Sequence, residues 1–167
     1  ELVAAGLTRD GGVLYAVGRI VAVVPAGSSL KLEPDLRSLL APAVRKIAIA
    51  NPEHAPYGRA AQQALKSLGL WEQLQPKLVM GENIAQAYQF VASGNAQLGF
   101  VALSQVMEDG KITKGSAWVV PSDLHEPILQ DAVLLASGKD NPAATALMQY
   151  LRSDKARAVI KAYGYRF

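Results

Sequence analysis

The sequence predicts an α/β fold in which strands and helices alternate along most of the chain. Two observations carry that expectation. Apolar runs of strand length recur at 46–50, 77–80 and 97–103. Amphipathic helical runs stand between them at 59–68 and 84–93, closed by Gly69 and Gly94. Such a succession implies a parallel sheet with right-handed crossovers. In sheets of that kind ligands sit beyond the carboxyl ends of the strands.

The elements follow in order. Residues 1–6 read as the end of a helix stopped by Gly6. Gly11-Gly12 makes a turn. Residues 13–24 form a long β-rich run, and at that length a strand bends or passes between sheets; Gly18 is the expected bend. Residues 25–29 are loop, and 34–40 a short helix. The strand at 46–50 leads to the helix at 59–68, a helical turn at 70–74 and a strand at 77–80. Asn83 caps the next helix, 84–93. The strand at 97–103 carries Gly99 for close backbone approach. A helical turn is expected at 104–110, then strands at 117–120 and 128–136. Asn141 and Pro142 start a helix to 151, and Ser153 caps a last one, 155–163, stopped by Gly164.

Composition bounds the function. The 167 residues suit one domain or two small lobes. Half are hydrophobic and 19% charged, enough to build a core. A net charge of +3 from scattered Lys and Arg is not a nucleic-acid footprint, so no nucleic-acid partner is expected. The absence of cysteine excludes disulfides, thiolate catalysis and Cys-ligated metals. No membrane insertion is expected, because the most apolar run, 15–26, is short and interrupted by Gly18, Arg19 and Pro25. The chain opens at Glu1 without a leader, so a processed form or a piece of a longer protein is expected.

The corner Ala50-Asn51-Pro52-Glu53-His54-Ala55-Pro56-Tyr57-Gly58 carries the most chemistry. Pro52 and Pro56 stiffen it, and Pro56 suits the first position of a helix. The backbone N–H groups of Tyr57, Gly58 and Arg59 then point beyond the strand's carboxyl edge, a natural place for an anion. The plain alternative is an ordinary βα turn. Asn83-Ile84 forms a second such corner. Two helix N-termini at strand ends, with a glycine bend at Gly18 and a returning strand at 97–103, suggest a two-lobed clamp around a small anion.

No catalytic set accompanies these corners, and no enzyme is expected. His54 and His125 lack metal-ligand spacing, and His54 is expected to bond the turn backbone. There is no nucleophile elbow, phosphate-binding loop or dinucleotide fingerprint. Glu108-Asp109 and Asp123 read as solvated loop carboxylates, and Ser104 as the cap of its turn. No side-chain metal site and no cofactor are expected.

On several segments the chain resembles the molybdate/tungstate-binding proteins of ATP-driven uptake systems. These are Leu14 to Val21, Ile47 to Gly58, Leu65 to Leu70, Glu82 to Ala87, Leu98 to Ser104 and Ala158 to Tyr165. The resemblance implies a two-lobed, type II periplasmic-binding-protein fold with its first lobe incomplete. Residues 1–19 and 104–167 would form partial lobe 1 and 20–103 lobe 2, with hinge strands near 15–22 and 97–103. It implies an oxyanion, molybdate or tungstate, held by the backbone N–H groups of Tyr57 and Ile84. Some relatives add a tyrosine hydroxyl where this sequence has Ala102, and the Ser or Thr loops of the family's N-terminal portion are absent here. The resemblance further implies a periplasmic protein, exported by a signal peptide, that hands its ligand to the membrane subunits of an ABC transporter. The alternative is an oxyanion-sensing domain of a transcription regulator.

Overall fold

In the computed structural model, which describes residues 1–167, the long apolar run is two strands. β1 (Val13–Gly18) and β2 (Ile20–Val24) are separated at Arg19 and lie in different sheets. The break thus falls one residue after the expected Gly18, which ends β1. β3 (Ile47–Ala50) leads into α1 (Pro56–Ser67) and the short α2 (Trp71–Leu74). β4 (Leu78–Gly81), α3 (Ile84–Ala92) and β5 (Leu98–Ala102) follow. A two-stranded hairpin, β6 (Met107–Glu108) and β7 (Lys111–Ile112), precedes β8 (Ser116–Val119) and β9 (Ile128–Ala132). The chain ends in α4 (Pro142–Tyr150) and α5 (Asp154–Ala162).

The main sheet has the order β4-β3-β5-β2-β8. It is mixed, which corrects the expectation of a parallel sheet. β3 runs parallel to both β4 and β5, whereas β2 runs antiparallel to β5 and β8. The crossover rule governs only strands joined through a packed helix, and β3-α1-α2-β4-α3-β5 are so joined. β2 arrives directly from the neighbouring sheet and nothing forces its direction. That neighbouring sheet pairs β1 antiparallel with β9, with a register shift between Leu14 and Ala16.

Every residue of β2, β3 and β5 is buried. Both faces of a central strand are covered in such a sheet, so its sequence is a continuous apolar run rather than an alternation. Ile20, Ile47, Ile49 and Phe100 pack on one face against Ala61, Leu65, Trp71 and Leu74 from α1 and α2. Val21, Val23, Ala48 and Val101 pack on the other against Val91 of α3, with Leu103 and Val106. No polar or charged residue is buried.

Two further expectations change, and a third is met. Residues 104–110 are not a helical turn: a 3-10 turn at Leu103–Gln105 gives way to the β6–β7 hairpin. Asp109 and Gly110 at its tip have φ of 49° and 74°, and Asp-Gly supplies the paired left-handed residues that a tight hairpin turn needs. The helix expected at 34–40 is a single 3-10 turn, Arg37–Leu40, preceded by Leu36 at φ 51°. Residues 1–6 make one helical turn, with Ala5 N–H donating to the Glu1 carbonyl at 2.9 Å and Leu7 N–H to that of Leu2 at 3.1 Å. Gly6, at φ 67°, closes it as a helix C-terminus would be closed.

Candidate functional site

The corner after β3 is built by Asn51. Its side-chain oxygen accepts from Glu53 N–H at 2.9 Å, and its carbonyl accepts from Ala55 N–H at 2.9 Å. This double turn reverses the chain and delivers Pro56 as the first residue of α1. Ala55, the cap residue, has extended backbone and offers no side-chain acceptor. The first donor of the helix to find a carbonyl is Arg59 N–H, on Ala55 at 3.0 Å. The N–H groups of Tyr57 and Gly58 therefore remain free at the helix end, as the first-turn donors of a helix do.

The second corner lies beside the first. β3 and β4 pair in parallel with Ala50 opposite Gly81, and Asn51 N–H donates to the Gly81 carbonyl at 2.7 Å. Asn83 caps α3, its side-chain oxygen accepting from Gln86 N–H at 3.0 Å, while the Gln86 side chain accepts from Glu82 N–H at 2.7 Å. That reciprocal pair satisfies donors on both sides of the cap. The N–H groups of Ile84 and Ala85 remain free. Ala50, Ala55 and Ala87 form a small buried cluster against Ile84, and side chains this small let the two helix ends approach.

Two glycines are required by that approach. A Cβ on Gly58 would lie 2.1 Å from the Ala50 carbonyl oxygen, and one on Gly81 2.8 Å from Ala87 N. The sequence thus places both helix N-termini at one end of the sheet, with four unpaired N–H groups and the positive ends of two helix dipoles. Neither Tyr57 nor Ile84 lines the cavities of ≈ 390 and ≈ 330 Å³, which lie elsewhere.

The Tyr57 side chain turns back to the β1–β2 junction. Its hydroxyl is the atom that a Cβ on Gly18 would strike. Burial, then the nearby hydroxyls of Tyr165 and Tyr15, hold its pKa well above the ordinary 10.0. Tyr165 in turn shares a hydrogen bond of 3.1 Å with Ser104. Ser104 is therefore tied to the C-terminal segment and is not the cap of its own turn.

Gln105 is a positioning residue that the sequence did not reveal. Its side-chain amide donates to the Ile84 carbonyl at 3.2 Å, and its oxygen accepts from Ala102 N–H at 3.0 Å. It fastens the end of β5 to the start of α3; a lone glutamine after a strand carries no pattern that signals this. His54 lies exposed with its ring 3.9 Å from the Glu53 carboxylate, so it does not bond the turn backbone as expected. His125 does bond backbone, with Nδ1 2.7 Å from the Glu126 carbonyl oxygen. No group of three or more His, Cys, Asp or Glu residues is placed to hold a metal ion.

The family described as bacterial extracellular solute-binding protein matches residues 1–166. The chain is 54% identical over 172 aligned positions to the molybdate-binding protein ModA of Azotobacter vinelandii, covering 95% of this chain and 65% of that protein. It is 46% identical to the molybdate-binding protein ModA of Rhodobacter capsulatus, covering 90% of this chain and 58% of that protein. It therefore spans less than two thirds of the length of these relatives. A solved periplasmic molybdate-binding protein of Azotobacter vinelandii superposes with a TM-score of 0.90 at 38% identity, covering 99% of this chain and 72% of that one. The fold is thus the α/β fold of the periplasmic binding proteins, and relatives of this kind are solute-binding proteins rather than enzymes. By its match over residues 1–166, the chain belongs to the family of bacterial extracellular solute-binding proteins.

Proposed function

We propose that this chain carries the oxyanion-binding corner of a periplasmic protein that captures molybdate or tungstate and delivers it to the membrane subunits of an ABC importer. The single observation that carries the reading is the pair of adjacent helix N-termini with free N–H groups at Tyr57, Gly58, Ile84 and Ala85, in a chain similar to named molybdate-binding proteins. Export to the periplasm and docking on a transporter rest on the same similarity. The regulator reading gains no support from those relatives.

The chemistry follows from the donors. A tetrahedral dianion gives up a strong hydration shell on entering the site. Fixed N–H dipoles and two helix ends replace that shell without a cationic side chain. Tyr57 and Ile84 donate through backbone, so selection among oxyanions comes from spacing and number of donors. Residues 20–103 act as one lobe, joined by β8, which pairs with β2, and residues 1–19 with the rest of 104–167 contribute to the other. The strands at 15–22 and 97–103 act as hinges. Isothermal titration with molybdate, tungstate and sulfate tests the proposal. Binding of molybdate or tungstate is expected, and no heat with any of the three overturns the proposal.

A further inference from the structure

A second feature near the β1–β2 junction has no part in the helix-end site. A cavity of ≈ 330 Å³ opens there, lined by Arg19, Ser122, His125 and Arg166 with Val119 and Pro127 among its apolar walls. No carboxylate lines it. Neither arginine takes part in a salt bridge, since the three acid–base pairs of the chain involve Arg9, Arg37 and His54.

Backbone holds the arginines together. Arg166 pairs with Val17 through both N–H···O bonds, at 2.7 and 2.9 Å, which sets its side chain beside the Gly18-Arg19 step. Its guanidinium reaches Ser122 Oγ at 3.5 Å. Val120 N–H donates to the Ile20 carbonyl at 3.1 Å and brings the end of β8 to the same place. Arg19 is half-buried, and burial together with the charge on Arg166 pulls its pKa below the ordinary value. Arg19 has lost part of its hydration and is repelled by the charge on the exposed Arg166, and no counter-charge lines the cavity. An anion relieves both costs.

We propose that Arg19 and Arg166 form a second anion site, distinct from the helix-end corner, that takes a small organic dicarboxylate. Guanidinium groups match carboxylate oxygens two at a time, and two of them side by side match two carboxylates. The volume lies at the small end of the range of ligand pockets. Its valine and proline walls suit a short carbon skeleton, which a bare tetrahedral oxyanion would leave uncovered. His125 donates Nδ1–H to the Glu126 carbonyl, so Nε2 is the ring atom left to the cavity. The site is argued from this cluster alone and does not rest on molybdate binding.

The test is NMR titration of the Arg Nε–H signals of the protein with succinate, in the presence and absence of saturating molybdate. Succinate is expected to shift the Arg19 and Arg166 signals whether or not molybdate is present. Arg19→Gln and Arg166→Gln should each weaken succinate about tenfold, the loss of one charge-assisted pair. Arg19→Lys, which keeps the charge, should lose less, and it serves as the folded control if Arg19→Gln is unstable. No shift at tens of millimolar succinate overturns the proposal, as does unaltered binding by the glutamine variants. Displacement of succinate by molybdate would assign it to the helix-end corner instead. Inorganic phosphate binding as tightly as succinate would refute the dicarboxylate assignment.

Discussion

Gly58 allows a sharp test at the scale of one residue. Its missing Cβ is the space occupied by the Ala50 carbonyl, 2.1 Å away. Gly58→Ala must push α1 off the end of β3, at a cost of about 1–3 kcal/mol, and it moves the free N–H of Tyr57 with it. The expected result is a lower urea midpoint together with weaker oxyanion binding. Gly69→Ala is the control: Gly69 has φ +69° with open space around it, so the variant carries backbone strain but leaves the corner in place. Tyr57→Phe separates side chain from backbone. It removes the hydroxyl that sits by Gly18 and Tyr165 and keeps the N–H, so oxyanion affinity should change little while stability falls by about 1 kcal/mol. The pH dependence has a definite sign. Because the folded state raises the Tyr57 pKa above 10.0, its contribution is fully present below pH 10 and is lost as pH rises above it. Wild-type stability should therefore fall more steeply than that of Tyr57→Phe above pH 10, as followed by urea unfolding.

Caps and pairings decide the elements. Asn83→Ala removes the acceptor for Gln86 N–H and should cost about 1 kcal/mol. The same substitution at Asn141, which caps α4 through Ala143 and Ala144 N–H, should register far less in global unfolding, because α4 has no buried residue. Circular dichroism with urea distinguishes the two. The two corners were legible because prolines, asparagines and glycines mark strand-to-helix turns directly: Pro56, Asn83, Gly69 and Gly94 each stand where the sequence placed them. Strand direction was not legible. The run at 20–24 is equally apolar in either orientation, and no packed crossover helix fixes its direction against β5. The β6–β7 hairpin was legible in principle from Asp109-Gly110, but strands of two residues carry no alternation to confirm it. Gln105 acts through contacts 21 residues distant in sequence, at Ile84, and no local pattern encodes such a bridge.

Across the whole molecule, burial is uneven. The main sheet and its helices hold nearly all of the core, whereas the large apolar residues that remain exposed cluster in the first and last segments. Leu2, Val3, Leu7, Leu14, Leu129, Leu147 and Val159 are among them, with Leu129 at 57% and Leu147 at 58%. Apolar surface gathered in this way favours association. The chain should self-associate at high concentration, and Leu129→Lys with Leu147→Lys should reduce it in sedimentation velocity. Amide exchange should follow the same division, slow in β2, β3 and β5 and fast in α4 and α5. The pairing of β1 with β9 has a consequence for synthesis. β2, β3, β4 and β5 lie between them in the chain, so four strands of the main sheet can assemble as soon as residue 102 is free of the ribosome. β1 is made before these four strands and finds β9 only after residue 132 has been made. Throughout that interval the edge of β1 that β9 will cover waits for its partner, and the β1–β9 pair closes only after the core of the main sheet is in place.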